Sequence, residues 1–184
     1  MKQLILASGS PRRKELLSLY TTDFAVCVSG FEESAVTADT PAELVEKLAR
    51  GKCLAVAAQH PGAVVLGCDT VVDVDGEVFG KPRDAEDAKR MLRALSGSTH
   101  LVHTGVCVSD GRRTESFVDT CMVRFFPISE EEIDAYTATP EPYDKAGAYA
   151  IQGRAALWLD GIEGDYYTIM GLPVSRTAKL VAQF

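Results

Sequence analysis

A short apolar run, Lys2 to Ala7, breaks at Ser8-Gly9-Ser10-Pro11-Arg12-Arg13 and gives way to Leu16, Leu17 and Tyr20 at helical spacing. The chain therefore begins as a strand that turns within six residues into a helix. Ser10 suits the N-cap, and Pro11 the first helical position, where its missing N–H would have no helical partner anyway. The arginine pair is the anomaly. A helix N-terminus already presents positive partial charge, and acidic residues are favoured there. Two hydroxyls, a glycine and two guanidinium groups at that place outline a phosphate cradle. On this loop alone, two arginines on a solvated face are the alternative.

The same alternation continues. Thr40-Pro41-Ala42-Glu43 has capping-box spacing and predicts a helix over about 41–58, with Leu44, Val45, Leu48, Ala49 and Cys53 in its amphipathic pattern. Ala63 to Cys68 and Thr70 to Val74 read as an apolar strand interrupted by Asp69, and Asp75-Gly76 as the turn into Glu77-Val78-Phe79. Asp84 caps a helix faced by Ala88, Met91, Leu92 and Leu95 and stopped at Gly97. His100 to Ser109 and Thr114 to Phe126 pair around Asp110-Gly111, and Ser129-Glu130-Glu131-Glu132 opens a helix to about Ala138. Pro140 to Gly153 shows no period and reads as a functional loop or a spacer. Ala155 to Ile162 and Tyr166 to Met170 are expected as strands, and Pro173 to Gln183 as a closing helix. With no repeat or linker, residues 1–184 are expected to form one α/β domain.

A net charge of −7 argues against a general nucleic-acid surface or an anionic-membrane surface, so a phosphate ligand needs a local basic pocket. Five widely spaced cysteines, Cys27, Cys53, Cys68, Cys107 and Cys121, form no C-x-x-C pair and point to free thiols in a reducing compartment. The first apolar run is too brief for a signal-peptide core, and Cys53 to Val72 is broken by Gln59, His60, Pro61 and Asp69. A cytoplasmic protein without a membrane partner is expected.

Gly67-Cys68-Asp69-Thr70 places a carboxylate inside an apolar run, where burial without a cation or hydrogen-bonding partner is costly. Such a carboxylate can take a proton from an attacking water or hold a divalent ion against a phosphate. A structural aspartate capping a turn is the plainer alternative. Lys52 and Lys81, the latter in Gly80-Lys81-Pro82, offer point charges for phosphate oxygens. Glu32-Glu33 add carboxylates or form a plain acidic turn. Asp73-Val74-Asp75 is a poor aspartyl-phosphate motif, because Asp75-Gly76 is a strong hairpin turn. His100 and His103, three apart in a strand, face opposite sides and make a poor metal pair.

Leu6 to Arg13, Gly67 to Val72, Gly80 to Asp84, Asp144 to Gly153 and Gly171-Leu172-Pro173 together resemble the Maf family of nucleotide pyrophosphatases over essentially the whole chain. The resemblance implies an elongated α/β fold related to inosine triphosphate pyrophosphatases, a mixed sheet with flanking helices and two lobes around a central cleft. It implies hydrolysis of a nucleoside triphosphate to the monophosphate and pyrophosphate with a divalent cation, Mg²⁺ or Mn²⁺, and a homodimer. Asp69 matches the family's catalytic base; Glu33 matches a position lining the phosphate and metal site and is expected, with Asp69, to organise the cation, the sequence leaving open whether Asp69 is base or metal ligand. Ser8, Arg13, Lys52 and Lys81 match positions lining the phosphate site, joined by Ser10 of the same loop. Arg12, Thr70 and Gln152 resemble the branch acting on dTTP and UTP, not the one acting on 7-methyl-GTP. A glutamine amide offers both the donors and the acceptor that a uracil or thymine edge needs. A nucleotide-binding regulator of cell division is the reading from another class, but it would need no metal-competent carboxylates. Two departures stand out. Gly51 is expected to weaken the helix presenting Lys52, and Cys68 raises the prospect of oxidation beside Asp69.

Overall fold

Residues 2–184 are described by a computed structural model, and they form a mixed α/β structure whose seven strands share one sheet. The strands are β1 (Leu4–Leu6), β2 (Ala25–Val26), β3 (Val64–Val74), β4 (Glu77–Phe79), β5 (Thr99–Ser109), β6 (Thr114–Phe125) and β7 (Leu159–Glu163). The helices are α1 (Pro11–Ser18), α2 (Pro41–Ala57), α3 (Ala85–Leu95), α4 (Glu130–Thr137), α5 (Tyr166–Met170) and α6 (Val174–Val181). Sheet order is β2-β1-β3-β5-β6-β7, with β4 also paired to β3. The chain divides into two compact units, the first holding residues up to Thr70, Thr104–Asp119 and Gly171–Phe184, the second Val71–His103 and Thr120–Met170.

In the first unit, β1 runs parallel to both β2 and β3. Helix α2 starts where Thr40 accepts a bond from the Glu43 N–H with Pro41 at the first helical position. The reciprocal bond of a full capping box is displaced by one residue, since the Glu43 carboxylate takes the N–H of Asp39 at 3.0 Å. The helix buries Ala49, Cys53, Val56 and Ala57 against Ile5, Ala7, Val65 and Cys107. Each large aliphatic side chain so buried contributes about 1.5–3 kcal/mol. Two glycines set how closely the helix lies on the strands. A Cβ on Gly67 would fall 2.7 Å from the Cys53 nitrogen, and one on Gly105 would fall 2.9 Å from the Glu46 nitrogen.

In the second unit, Asp75 and Gly76, at φ 51° and 89°, make the turn from β3 into antiparallel β4. Asp84 caps α3, and Ser129 and Glu132 form a reciprocal capping box on α4. The two helices are tied by Arg93 to Glu130 and Lys89 to Asp134. An aromatic cluster of His100, Phe125, Tyr136, Tyr149 and Trp158, in edge-to-face pairs, fills the interior.

Strand β3 runs through Asp69 as one strand over Val64–Val74, as its two apolar halves led one to expect, because a carboxylate that finds partners leaves the backbone ladder intact. Two expectations needed correction. The expected strand over 155–162 is a 3₁₀ segment at Arg154–Trp158 followed by β7, and the expected strand over 166–170 is α5. There Asp165 overrides β-prone residues by accepting the Tyr167 N–H at 2.9 Å while its carbonyl takes that of Thr168. Strand β2, two residues long, carried no periodic signal.

His100 is 2% exposed, with Nε2 2.9 Å from the Tyr149 hydroxyl and Nδ1 without a partner among the described residues. Burial lowers its pKa to about 4, so the folded ring is neutral near neutral pH. The unfolded chain protonates this ring near 6.5 and the folded chain only near 4. Stability is therefore full above that window and is lost as pH falls through it, by about 3 kcal/mol. Urea midpoints should accordingly fall between about pH 7 and pH 4.5 more steeply for the natural protein than for His100→Phe, whereas equal slopes would rule this group out as the cause.

Candidate functional site

The cradle seen in the sequence is built as a fixed guanidinium. Ser10 caps α1 by accepting the Arg13 N–H at 3.4 Å, and the Ser8 hydroxyl accepts the Ser10 N–H at 3.2 Å. The Arg13 side chain donates from Nε to the Gly171 carbonyl at 2.9 Å, from Nη1 to Ser8 Oγ at 3.3 Å and from Nη2 to Thr70 Oγ1 at 3.0 Å. Thr70 in turn shares a 2.9 Å hydroxyl contact with fully buried Thr104. Three acceptors thus set the guanidinium plane before any anion arrives, which lowers the ordering cost of binding one. Arg12 is half-buried on the same turn of α1.

Asp69 follows Gly67 by two residues on β3, so both share the face on which α2 rests. That close approach brings Lys52 of α2 to Asp69, with Nζ 2.5 Å from Oδ1 and both side chains about one-eighth exposed (12% and 13%). The same ammonium reaches Glu33 Oε2 at 2.9 Å, although Glu33 is 53% exposed. Glu33 arrives on a segment without helix or strand, two residues after Phe31, whose ring tip lies against Gly51 of α2. One cation therefore gathers two carboxylates, and the residue that follows Asp69 on the strand, Thr70, holds the arginine fork.

Among the described residues no three His, Cys, Asp or Glu side chains are placed to hold a metal together. Glu33 and Asp69 alone nevertheless fit a hard octahedral cation, which commonly takes one or two carboxylates and fills its shell with water and substrate phosphates. Residues 3–184 match the family model described as Maf-like protein. The chain belongs to the Maf-like family. Relatives of this Maf-like chain include proteins named dTTP/UTP pyrophosphatase from Symbiobacterium thermophilum, 53% identical over all of this chain and 95% of theirs, and from Bacillus cytotoxicus, 50% identical over all of this chain and 96% of theirs. Its fold is similar to that of the Staphylococcus aureus Ham1 protein, with a TM-score of 0.51 at 18% identity over 67% of this chain and 72% of the other. A HAM1 protein from Coxiella burnetii aligns over 100% of both chains with a TM-score of 0.50 at 13% identity.

Ser8, Ser10, Arg13, Glu33, Lys52, Asp69 and Thr70 of this Maf-like protein lie together in the first unit. Lys81 and Gln152 are exposed residues of the second. The stretch before Gln152, expected as a loop, is stapled by Lys145 to the Glu141 carbonyl at 2.8 Å and by Glu141 Oε1 to the Tyr136 hydroxyl at 2.9 Å. Gly147, at φ 69°, faces Val72 so closely that a Cβ would lie 2.7 Å from Cγ2. Cys68 is fully buried, and burial pushes its thiol up to about 12, so the protonated, enclosed sulfur is a poor target for oxidation.

Three participants were not anticipated. Thr104 acts through another hydroxyl and Gly171 through its carbonyl, and neither leaves a signal in side-chain chemistry. Phe31 stands among polar neighbours, and nothing in the sequence shows that it meets Gly51, twenty residues on. Arg13→Lys keeps the charge and loses the fork, so calorimetric affinity for inorganic tripolyphosphate should fall by about tenfold. Unchanged affinity would mean that the fork does not bind the anion.

Proposed function

We propose that this chain hydrolyses dTTP and UTP between the α and β phosphates, releasing the nucleoside monophosphate and pyrophosphate. One observation carries the reading: a nearly buried carboxylate, Asp69, held by Lys52 in the same unit as an arginine fork fixed by three acceptors. The names of the full-length relatives support the substrate pair.

Asp69 takes a proton from, or positions, a water that attacks the α phosphorus; the new P–O bond forms as the bond to the α,β-bridging oxygen breaks, and pyrophosphate leaves with that electron pair. Arg13, Lys52 and Lys81, with the hydroxyls of Ser8 and Ser10, hold the triphosphate and offset charge growing on the leaving group. Glu33 and Asp69 are the residues that would hold Mg²⁺ or Mn²⁺. When bound, such an ion supplies Lewis-acid polarisation of the phosphate. Arg12, Thr70 and Gln152 select the base, and Thr70 also orients Arg13. Non-standard pyrimidine nucleotides of the same edge chemistry would enter the same pocket.

We assign residues 1–184 to a single catalytic domain, the family match covering all but the first two. All five cysteines are free, in keeping with a cytoplasmic setting, and no helix among the described residues is long and apolar enough to cross a membrane. A homodimer is inferred from the family resemblance.

Incubation with dTTP, UTP and 7-methyl-GTP in ¹⁸O-enriched water with Mg²⁺ or Mn²⁺ tests the proposal. Label in the monophosphate, with pyrophosphate as co-product and 7-methyl-GTP turned over at least about tenfold more slowly than dTTP, is the expected result. Label in pyrophosphate, orthophosphate as the sole primary product, or tight binding without turnover would contradict it.

A further inference from the structure

Glu33 sits on the stretch between β2 and α2, where the chain from 27 to 40 has no helix or strand. Its carboxylate is half exposed, and an ion pair with one partner in solvent holds a segment without helix or strand only weakly. Much of the local bonding involves other residues: Ser34 donates its N–H and hydroxyl to Glu32, and Lys47 donates to the Thr37 carbonyl at 2.9 Å. Next to Glu33 the apolar contact is that of Phe31, half-buried, with its ring tip on the surface of α2.

The surface it meets is Gly51. This glycine lies inside α2 and is not among the residues at positive φ, so no backbone need explains it. Space does. A Cβ at Gly51 would fall 2.6 Å from Phe31 Cε2, closer than real side chains approach, and the ring's other distal carbons lie nearer still. Gly51 immediately precedes Lys52, and Phe31 precedes Glu33 by two residues. One short stretch of α2 therefore receives both the ring and the carboxylate.

We infer that Phe31 seated on Gly51 is a latch that positions Glu33 over Lys52 and Asp69, making Phe31 and Gly51 positioning residues for divalent-cation binding. The ring is a rigid apolar group with two rotatable bonds, so seating it costs little ordering. It also fixes the direction in which the chain leaves toward Glu33. The metal part of this inference rests on the proposed role of Glu33.

Gly51→Ala separates the latch from general stability, because alanine strengthens a helix while closing the notch. In the full-length protein, hydrogen–deuterium exchange of residues 29–36 should speed up severalfold in Gly51→Ala and in Phe31→Ala, with exchange in β3 unchanged. Mn²⁺ affinity, read by the paramagnetic resonance of free Mn²⁺ in the presence of tripolyphosphate, should weaken by about tenfold in both. The double variant should be no worse than the poorer single, since both remove one contact. Unchanged exchange over 29–36 in Gly51→Ala would overturn the latch. Faster exchange with unchanged Mn²⁺ affinity would overturn its role in cation binding. Glu33→Gln reports on the underlying reading alone: if it leaves Mn²⁺ affinity intact, Glu33 is not a metal carboxylate, whatever the exchange data say of the latch.

Discussion

The Lys52 ammonium, 2.5 Å from Asp69 and 2.9 Å from Glu33, is the interaction on which the rest of the site depends. An unpaired carboxylate in an apolar strand would cost several kcal/mol or give up its charge. With Lys52 against it, Asp69 can sit in the middle of β3 without breaking the strand. The pairing requires α2 to lie unusually close to the sheet, and the backbone answers with Gly67 and Gly105, each at a position where any Cβ would strike the helix backbone. Glycine here serves contact between two main chains. The site is thus a consequence of helix-on-sheet packing, and its charges cannot be moved without moving that packing.

The second requirement is a positive end of the site that stays in place within a chain of net charge −7. Arg13 is held at Nε and both terminal nitrogens by Gly171, Ser8 and Thr70, so its fork stands ready while its entropy has been lost on folding. Thr70 and Arg13, which the proposal gives to the nucleobase and to the phosphates, are joined by one hydrogen bond, so under that proposal the two tasks share a contact. Gly51 shows the same economy. A glycine inside a helix costs about 1 kcal/mol relative to alanine, and here the loss leaves room for the Phe31 ring.

Helices were legible wherever a side chain caps them: Ser10, Thr40, Asp84 and Ser129 each mark a real start, because a cap is a local interaction written in consecutive residues. Strands were legible where apolar runs are long, as in β3 and β5. Legibility failed over 155–170, where aromatic and β-branched residues signal strand but Asp165 starts a helical turn, and at β2, too short to show a period. Within the site, Ser8, Arg13 and Asp69 were visible as charged or polar residues in improbable places, and Lys52 as a point charge that gained meaning only beside them. The structure adds the contacts that join them. Thr104, the Gly171 carbonyl and the Phe31 notch were invisible because they act through partners distant in sequence, and a sequence displays types and spacings, not encounters. Lys81 and Gln152 rested on resemblance more than on local chemistry.

The central claim is that Lys52 and Asp69 work as one unit in the proposed hydrolysis, the lysine fixing the position of the carboxylate through their 2.5 Å contact. A double-mutant cycle on turnover at saturating dTTP tests it most directly, using Asp69→Asn, Lys52→Gln and the double variant, each checked for folding. If the account is right, each single variant loses at least about a hundredfold in kcat and the double variant loses hardly more than the worse single. Losses that multiply, so that the two side chains act independently, would contradict it.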